Sequence, residues 1–202
     1  MFVQVIQGAV SDAQGMRDQM DTWVRDLAPG AEGWLGSTAG VTADGQFVAL
    51  ARFESEEAAR RNSDRPEQGA WWEETAAHFT GEPVFHDSEW VDGDTPGDPA
   101  TAGFVQVMQG RTNNPERARE LMASDPTDWA AFRPDILGSV MVGQANGAWT
   151  MALYFTSEAD AREGEKKEPP PEMEQMMKEM ESLNAGETTY LDLTDPWMTA
   201  PA

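Results

Sequence analysis

Phe2-Val3-Gln4-Val5-Ile6-Gln7-Gly8 and Phe104-Val105-Gln106-Val107-Met108-Gln109-Gly110 are one stretch of sequence present twice, with a single conservative change between the copies. A shift of 102 positions aligns residues 2–60 with residues 104–162 without a gap, and 20 of the 59 aligned pairs are identical. Internal similarity of this extent indicates a duplicated structural unit. The chain of 202 residues therefore predicts two domains of about 100 residues each.

A polar stretch rich in proline and glycine separates the two copies. Residues 92–99 read Asp-Gly-Asp-Thr-Pro-Gly-Asp-Pro and show neither helical nor strand periodicity. This composition is typical of a linker between domains. We predict a first domain over residues 1–92, a linker over residues 93–102 and a second domain over residues 103–202.

Each half shows the same order of predicted elements. Phe2–Gln7 is short, apolar and rich in β-branched residues, as expected of a central strand. Two further strands follow in each half, joined at Asp44-Gly45 and at Asn146-Gly147, and both dipeptides are strong hairpin signals. With a helix on either side of the hairpin and a final strand, each half has the order β-α-β-β-α-β that is typical of ferredoxin-like domains.

The helices are predicted from their start signals and from apolar residues at helical spacing. Ser11 and Gln14 resemble a capping box at the start of the first helix. Ser55 and Ser157 are predicted to cap the helix that follows each hairpin. In the second half, Asp125-Pro126 is predicted to break the first helix.

The helices of a ferredoxin-like unit cover only one face of its sheet. The central strands around Phe47–Phe53 and Trp149–Phe155 are largely apolar on both faces, so the second face must be buried elsewhere. Burial stabilises by about 25 cal/mol per Å² of apolar surface. We therefore predict an α+β fold in which two tandem ferredoxin-like (βαββαβ) domains form an intrachain pseudo-dimeric α+β barrel. We expect a monomer with internal pseudo-two-fold symmetry, with a dimer as the alternative.

The net charge of the chain disfavours nucleic acids and membranes as partners. The chain has 14 basic and 36 acidic residues and a formal net charge of −22. Such a field repels phosphate backbones and anionic headgroups, so we expect neither nucleic acid nor a membrane as a partner. The chain has no cysteine, which excludes disulfides and thiolate metal sites and suits the cytoplasm.

Two stretches around the second helix of the first half carry a family resemblance. Phe53–Arg60 reads Phe-Glu-Ser-Glu-Glu-Ala-Ala-Arg, and Arg65–Trp72 reads Arg-Pro-Glu-Gln-Gly-Ala-Trp-Trp. Together with the element order, they resemble the dimeric α+β barrel superfamily and, within it, antibiotic-biosynthesis-monooxygenase-like domains, here fused in tandem. The resemblance covers residues 2–91 and 104–193, and its pattern specifies the fold far better than the chemistry.

The resemblance implies a pocket between the sheet and the helices of each unit. Relatives include cofactor-independent monooxygenases of aromatic polyketides or quinols, haem-degrading enzymes and proteins without a known reaction. The haem-degrading branch carries an asparagine on the first strand, and a tryptophan and a histidine on the second helix. Here Gln4 and Gln106 stand in place of that asparagine, and the second half has no histidine. We therefore expect no haem, no other cofactor and no metal.

His86 and Arg52 are the candidate catalytic residues. His86 is predicted to act as a general base toward an acidic phenol or quinol proton, although a structural histidine is the simpler interpretation. His86 and Asp87 point to opposite faces of a strand, so they do not form a dyad. Arg52, if its face lines a cavity, favours an anionic or phenolate ligand; otherwise it reaches solvent at the end of its strand.

The candidate ligand-binding residues are polar or aromatic groups in apolar surroundings. They are Gln4, Trp71, Trp72, His78, Gln106 and Tyr154. The two glutamines need hydrogen-bond partners, from the protein or from a ligand. Adjacent helical residues differ by about 100°, so one of Trp71 and Trp72 is expected in the core and the other beside a pocket. His78 can also serve only to complement the helix dipole.

The expected function is binding of a small hydrophobic or aromatic molecule, with cofactor-independent oxygenation as the possible reaction. The alternative is a non-catalytic binding or stress-related protein that uses the same pocket. The second half has Tyr154 and Leu191 at the positions of Arg52 and His86. Function is therefore predicted to belong to the first half.

Overall fold

The structure is a computed structural model that describes residues 1–124 and 128–201. The chain forms two compact units. The first unit comprises Met1–Val91 together with Asp195–Ala202, and the second comprises Asp92–Thr194. The predicted helix break at Asp125-Pro126 lies outside the described residues.

The first unit consists of one antiparallel sheet and its helices. Its strands are β1 (Phe2–Ala9), β2 (Trp34–Val41), β3 (Gln46–Phe53), β4 (Val84–Ser88) and β10 (Trp197–Thr199), and its helices are α1 (Ala13–Thr22), α2 (Glu56–Ser63) and α3 (Pro66–Ala76). A π-helical turn over Trp23–Leu27 extends α1. The strand order is β10-β2-β3-β1-β4, which places β3 and β1 at the centre.

The second unit repeats this arrangement. Its strands are β5 (Val91–Asp92), β6 (Phe104–Arg111), β7 (Ile136–Gly143), β8 (Ala148–Phe155) and β9 (Thr189–Leu193), and its helices are α4 (Pro115–Ala123), α5 (Trp129–Phe132), α6 (Glu158–Gly164) and α7 (Pro171–Ser182). The strand order is β5-β7-β8-β6-β9. The α+β class and the two tandem ferredoxin-like units predicted from the sequence are confirmed.

The compact units divide the chain differently from the predicted domains. The predicted linker, residues 93–102, belongs to the second unit, and its Gly97 N–H donates to the Leu137 carbonyl. Residues 195–202 belong to the first unit, where β10 pairs with β2. Both segments bond to the second strand of their sheet, β2 or β7, so backbone pairing rather than composition decides where they lie.

The hairpin turns and the Ser55 helix cap lie where the sequence predicts them, and the cap of α1 differs by one residue. Gly45 and Gly147 each have φ +83°, a conformation that glycine adopts readily, and they close the predicted hairpins. The Ser55 hydroxyl accepts from the N–H of Ala58, as predicted for a cap. At α1 the predicted cap is wrong by one residue, because the Asp12 carboxylate rather than the Ser11 hydroxyl accepts from the N–H of Gly15.

The two faces of the first sheet differ in what lies over them. Side chains at even positions of β1 and odd positions of β3, such as Phe2 and Phe53, pack against the helices. Val3, Val5 and Leu50 point to the other face and are at most 1% exposed. The sheet is therefore apolar and buried on both sides, as the composition of its strands predicts.

None of the helices within residues 1–124 and 128–201 combines the length and apolar character that a membrane span requires. The longest is α7, with 12 residues, and it carries several charged side chains.

Candidate functional site

A row of small and polar side chains crosses the helix-facing side of the first sheet. Strand pairing places Asp87 beside Gln4, Gln4 beside Ala51, Ala51 beside Ser37, and Ser37 beside Thr199. Directly paired residues point to the same face of a sheet, so all five lie on one side. We call Asp87, Gln4, Ala51, Ser37 and Thr199 the mid-sheet row.

The mid-sheet row separates two apolar clusters under the same helices. The first cluster contains Phe2, Trp23, Leu27, Ala31, Trp34, Phe53, Ala58 and Ala59. The second cluster contains Met16, Ala39, Phe47, Ala49 and Phe79. On each strand that contributes to both clusters, a residue of the mid-sheet row lies between the two contributions.

Residues of the mid-sheet row retain solvent-accessible surface, whereas the residues on either side of Ala51 on the same face of its strand are buried. Ala49 is 5% exposed and Phe53 is 3% exposed, but Ala51 between them on the central strand is only half-buried. Gln4 and Ser37 are half-buried as well. A small residue that stays accessible at the centre of a covered sheet indicates a gap in the packing between helices and sheet.

Gln19 lies on the part of α1 that joins the same two clusters. It follows Met16 by three positions and precedes Trp23 by four, so it shares their face of the helix. Its side-chain Oε1 is buried and has no hydrogen-bond partner among residues 1–124 and 128–201. A buried acceptor without a partner raises the free energy of the folded state, and native proteins rarely contain one.

Trp71 and Trp72 on α3 contact different clusters. Trp71 packs against the first cluster, and its indole N–H donates to the backbone carbonyl of Gln19 at 2.9 Å. Trp72 packs against the second cluster, with its ring centroid 5.3 Å from that of Phe85. The two indole rings, 6.0 Å apart, are half-buried and span the level of the mid-sheet row. The structure thus brings Trp71, Trp72 and Gln4 to one side of the sheet.

Gln4 is weakly held by the protein. Its Nε2 lies 3.5 Å from Oδ2 of Asp87, at the outer limit of a hydrogen bond, and Asp87 is exposed. This contact is therefore a weak constraint on the position of the Gln4 amide.

The equivalent glutamine of the second unit is firmly held. Gln106 is 8% exposed and its Nε2 donates to Oδ1 of Asp192 at 2.9 Å. Arg162 donates to the other oxygen of Asp192. Burial opposes the charge of Arg162, but hydrogen bonds from Arg162 to Asp192 and Glu165 and their negative charges raise its pKa. Gln106 is thus part of a closed structural network.

His86 and Arg52 lie on the opposite face of the first sheet from the mid-sheet row. His86 pairs with Val5, and Arg52 pairs with Val3, which places both with the buried valines rather than beneath the helices. Arg52 directs its Nε toward the Gly36 carbonyl at 3.5 Å. The structure therefore does not bring these two candidates together with Gln4 or the tryptophans.

Tyr154 and His78 occupy two further places. Tyr154 is 1% exposed and pairs with Val105, on the face of its own sheet that is turned away from α6. His78 follows α3 and lies against the first turn of α1, where its carbonyl accepts from the N–H of Ser11. Its Nδ1 is 3.9 Å from Asp12 Oδ2. His78 therefore joins the two helices at their ends and is not part of the mid-sheet row.

Sequence reasoning missed Gln19, Ala51 and Asp87. The signal for Gln19 was a polar residue within the apolar stripe of α1, at helical spacing from Met16 and Trp23. The chemistry that these side chains offer is hydrogen bonding, one carboxylate and aromatic packing. Among residues 1–124 and 128–201, no three histidine, aspartate or glutamate side chains are grouped so as to hold a metal ion.

Solved structures share this architecture. A "putative monooxygenase" from Lactobacillus acidophilus matches with a TM-score of 0.76 and 11% identity over 98% of this chain and 95% of its own. A protein of the same description from Fusobacterium nucleatum matches with a TM-score of 0.73 and 10% identity over 98% and 94%. An anthrone oxidase-like protein matches with a TM-score of 0.65 and 11% identity over 99% and 91%.

These matches show the fold. A scan against family models finds no match, and a search of curated proteins finds none either. The chain has the fold of these three structures, with two ferredoxin-like units in tandem, as its sequence predicts.

Proposed function

We propose that the first unit binds a small hydrophobic, aromatic molecule over the mid-sheet row. The observation that supports this most directly is the half-buried Ala51 on the central strand, between two apolar clusters and beneath the helices. A flat ring over Ala51 would contact Trp71 and Trp72 and would replace water on apolar surface. The proposed function requires neither a nucleic acid nor a membrane as a partner. The chain has no cysteine, which suits a protein of the cytoplasm.

The reaction that we propose for this site is oxygenation without a cofactor. An aromatic substrate with an acidic CH₂ group would lose a proton and react with O₂, giving a carbonyl group and water. Asp87 is the carboxylate of the mid-sheet row and stands beside Gln4, so it is the candidate base on this side of the sheet. His86 and Arg52 would act only on a ligand at the opposite face. The names of the matched structures, which include an anthrone oxidase-like protein, support this class of reaction.

One observation favours the alternative, a binding protein without a reaction. Neither imidazole of the chain belongs to the mid-sheet row, since His86 lies on the opposite face and His78 lies at the helix ends. A site with hydrogen-bonding amides and aromatic walls can hold a ligand without activating it. Binding and turnover therefore need separate measurements.

Ala51→Leu tests the binding site. The added carbon atoms would occupy the gap above the central strand, so we expect anthrone or hydroquinone to bind about 5-fold to 150-fold more weakly, as overpacking by about 1–3 kcal/mol implies. Isothermal titration calorimetry measures the affinity. The second unit has Leu153 at this position, so the fold accepts leucine there. Equal affinities of the variant and the parent protein would place the ligand elsewhere.

Oxygen uptake with anthrone separates the two functions. We expect uptake by the parent protein and little by Asp87→Asn, with anthrone affinity retained. Binding without uptake above the uncatalysed rate would support the non-catalytic alternative. Uptake by Asp87→Asn at the parent rate would exclude Asp87 as the base.

A further inference from the structure

We propose that the buried Oε1 of Gln19 accepts a hydrogen bond from a hydroxyl group of the ligand, so that the first unit selects neutral hydroxylated aromatics. This inference rests on the proposed binding function and specifies its ligand. Gln19 Oε1 is buried without a partner in the part of the chain that the structure describes, on the face of α1 that covers the sheet. A ligand hydroxyl at the level of the mid-sheet row would supply the missing donor.

The duplication provides an internal comparison for this assignment. At the position of Gln19 the second unit has Leu121, which is 6% exposed and has no polar group to satisfy. At the position of Ala51 it has Leu153. The acceptor and the small residue are therefore present together in the first unit and absent together from the second. These two differences in sequence are independent and both lie between the helices and the sheet, so they indicate a site specific to the first unit.

Charge favours a neutral ligand over an anion. Asp87 is the only ionisable side chain in the mid-sheet row, and the net charge of the chain is −22. Arg52 points to the other face and cannot neutralise an anion above Ala51. A ligand that binds as a carboxylate or phenolate would meet an acceptor at Gln19 and a negative charge at Asp87, and both are unfavourable; an anion formed by proton transfer to Asp87 would face a neutral carboxyl group instead. A protonated hydroxyl can donate to Gln19 and can accept from the weakly held amide of Gln4.

Three naphthalenes that differ in one group test the inference. Calorimetry would compare 1-naphthol, 1-methoxynaphthalene and 1-naphthoate, first with the parent protein. We expect 1-naphthol to bind about tenfold more tightly than its methyl ether, the preference expected when a buried acceptor loses its donor. We expect 1-naphthoate to bind more weakly than both, and one 1-naphthol to bind per chain.

Gln19→Leu introduces the residue that the second unit has, and Gln19→Met is a second variant of similar size. In both we expect the preference for the hydroxyl to fall below about threefold, with binding of the methyl ether retained or tightened. Gln14→Leu is the matched control, because Gln14 lies on the same helix, is exposed and bonds to Asp18. It should keep the preference of the parent protein.

The outcomes separate the inference from the function on which it rests. If none of the three naphthalenes binds the parent protein, the proposed function and the inference both fail. If they bind but show no preference for the hydroxyl, or if Gln19→Leu and Gln19→Met keep that preference, only the inference is overturned. Two molecules of 1-naphthol per chain would overturn its restriction to the first unit.

Discussion

At the level of single residues, the proposed role of the Gln19 amide in ligand binding conflicts with the stability of the ligand-free protein. A buried acceptor without a partner destabilises the folded protein, by about 1–3 kcal/mol in typical cases. Leucine has a similar volume and no polar atom, and the second unit carries it at the equivalent position. A binding site that keeps such a group lowers the stability of the unliganded protein.

We therefore expect Gln19→Leu to raise the free energy of unfolding of the ligand-free protein by about 1 kcal/mol. Urea denaturation followed by circular dichroism measures the change. Gln14→Leu, on the exposed side of the same helix, should shift it by less than about 0.5 kcal/mol. Destabilisation by Gln19→Leu would mean that the amide has a partner in solution, such as a trapped water molecule.

The sequence predicts which polar residues of this site need partners, but it does not predict which face of the sheet they occupy. Gln4 was found because a polar residue in an apolar strand needs a partner. His86 is a candidate because of its chemistry, but the neighbouring central strand β1 is apolar on both faces, so the sequence could not show which face the helices cover. Alternation correctly separated His86 from Asp87, and only the structure shows that Asp87 is the one beneath the helices.

At the level of elements, the start of α6 shows how local charge stabilises this fold. Ser157 caps the helix, and its hydroxyl together with that of Thr156 donates to the Asp160 carboxylate. These hydrogen bonds lower the pKa of Asp160 below its ordinary value of 3.8. The carboxylate therefore contributes stability at pH values above 3.8, and this contribution is lost as the pH falls through the lowered pKa.

We expect Asp160→Asn to reduce the acid sensitivity of the second unit. The parent protein should lose stability as the pH falls below about 4, partly through protonation of Asp160, and the variant should lose less over the same range. Thermal unfolding at several pH values measures the difference. Asp128→Asn offers a comparison, because Asp128 caps α5 through its carboxylate but receives no hydroxyl hydrogen bond from the residues that the structure describes. Identical pH profiles of the parent and Asp160→Asn would contradict the prediction.

Element boundaries were predictable where the chain itself carries the signal. The Asp44-Gly45 and Asn146-Gly147 turns fix the hairpins, since glycine at positive φ is a local property. The C-terminal strand β10 was not predicted, because three residues carry too little periodicity. Its place depends on long-range contacts: Trp197 lies 6.2 Å from the Phe47 ring and under the Arg17 guanidinium. Ser11 and Asp12 are both good caps, so composition could not decide between them.

At the level of the whole molecule, duplication has preserved the fold while the two units diverged in chemistry. Both keep the first-strand glutamine and the aspartate paired with it, but only the second unit adds the arginine that closes the network around Gln106. In the first unit the equivalent Arg60 pairs instead with Asp64 at 3.6 Å. The same two residues thus belong to a closed network in the second unit and share one long contact in the first.

Because one chain carries both units, we expect the protein to be a monomer with one ligand site. Light scattering coupled to size exclusion should give a mass near 22.2 kDa, both with and without 1-naphthol. The net charge of −22 also disfavours association of identical chains at low ionic strength. The measurement should therefore be repeated at high salt, where screening removes this repulsion. A mass of twice that value under both conditions would show that pairing between chains contributes to the assembly, and the monomer would be excluded.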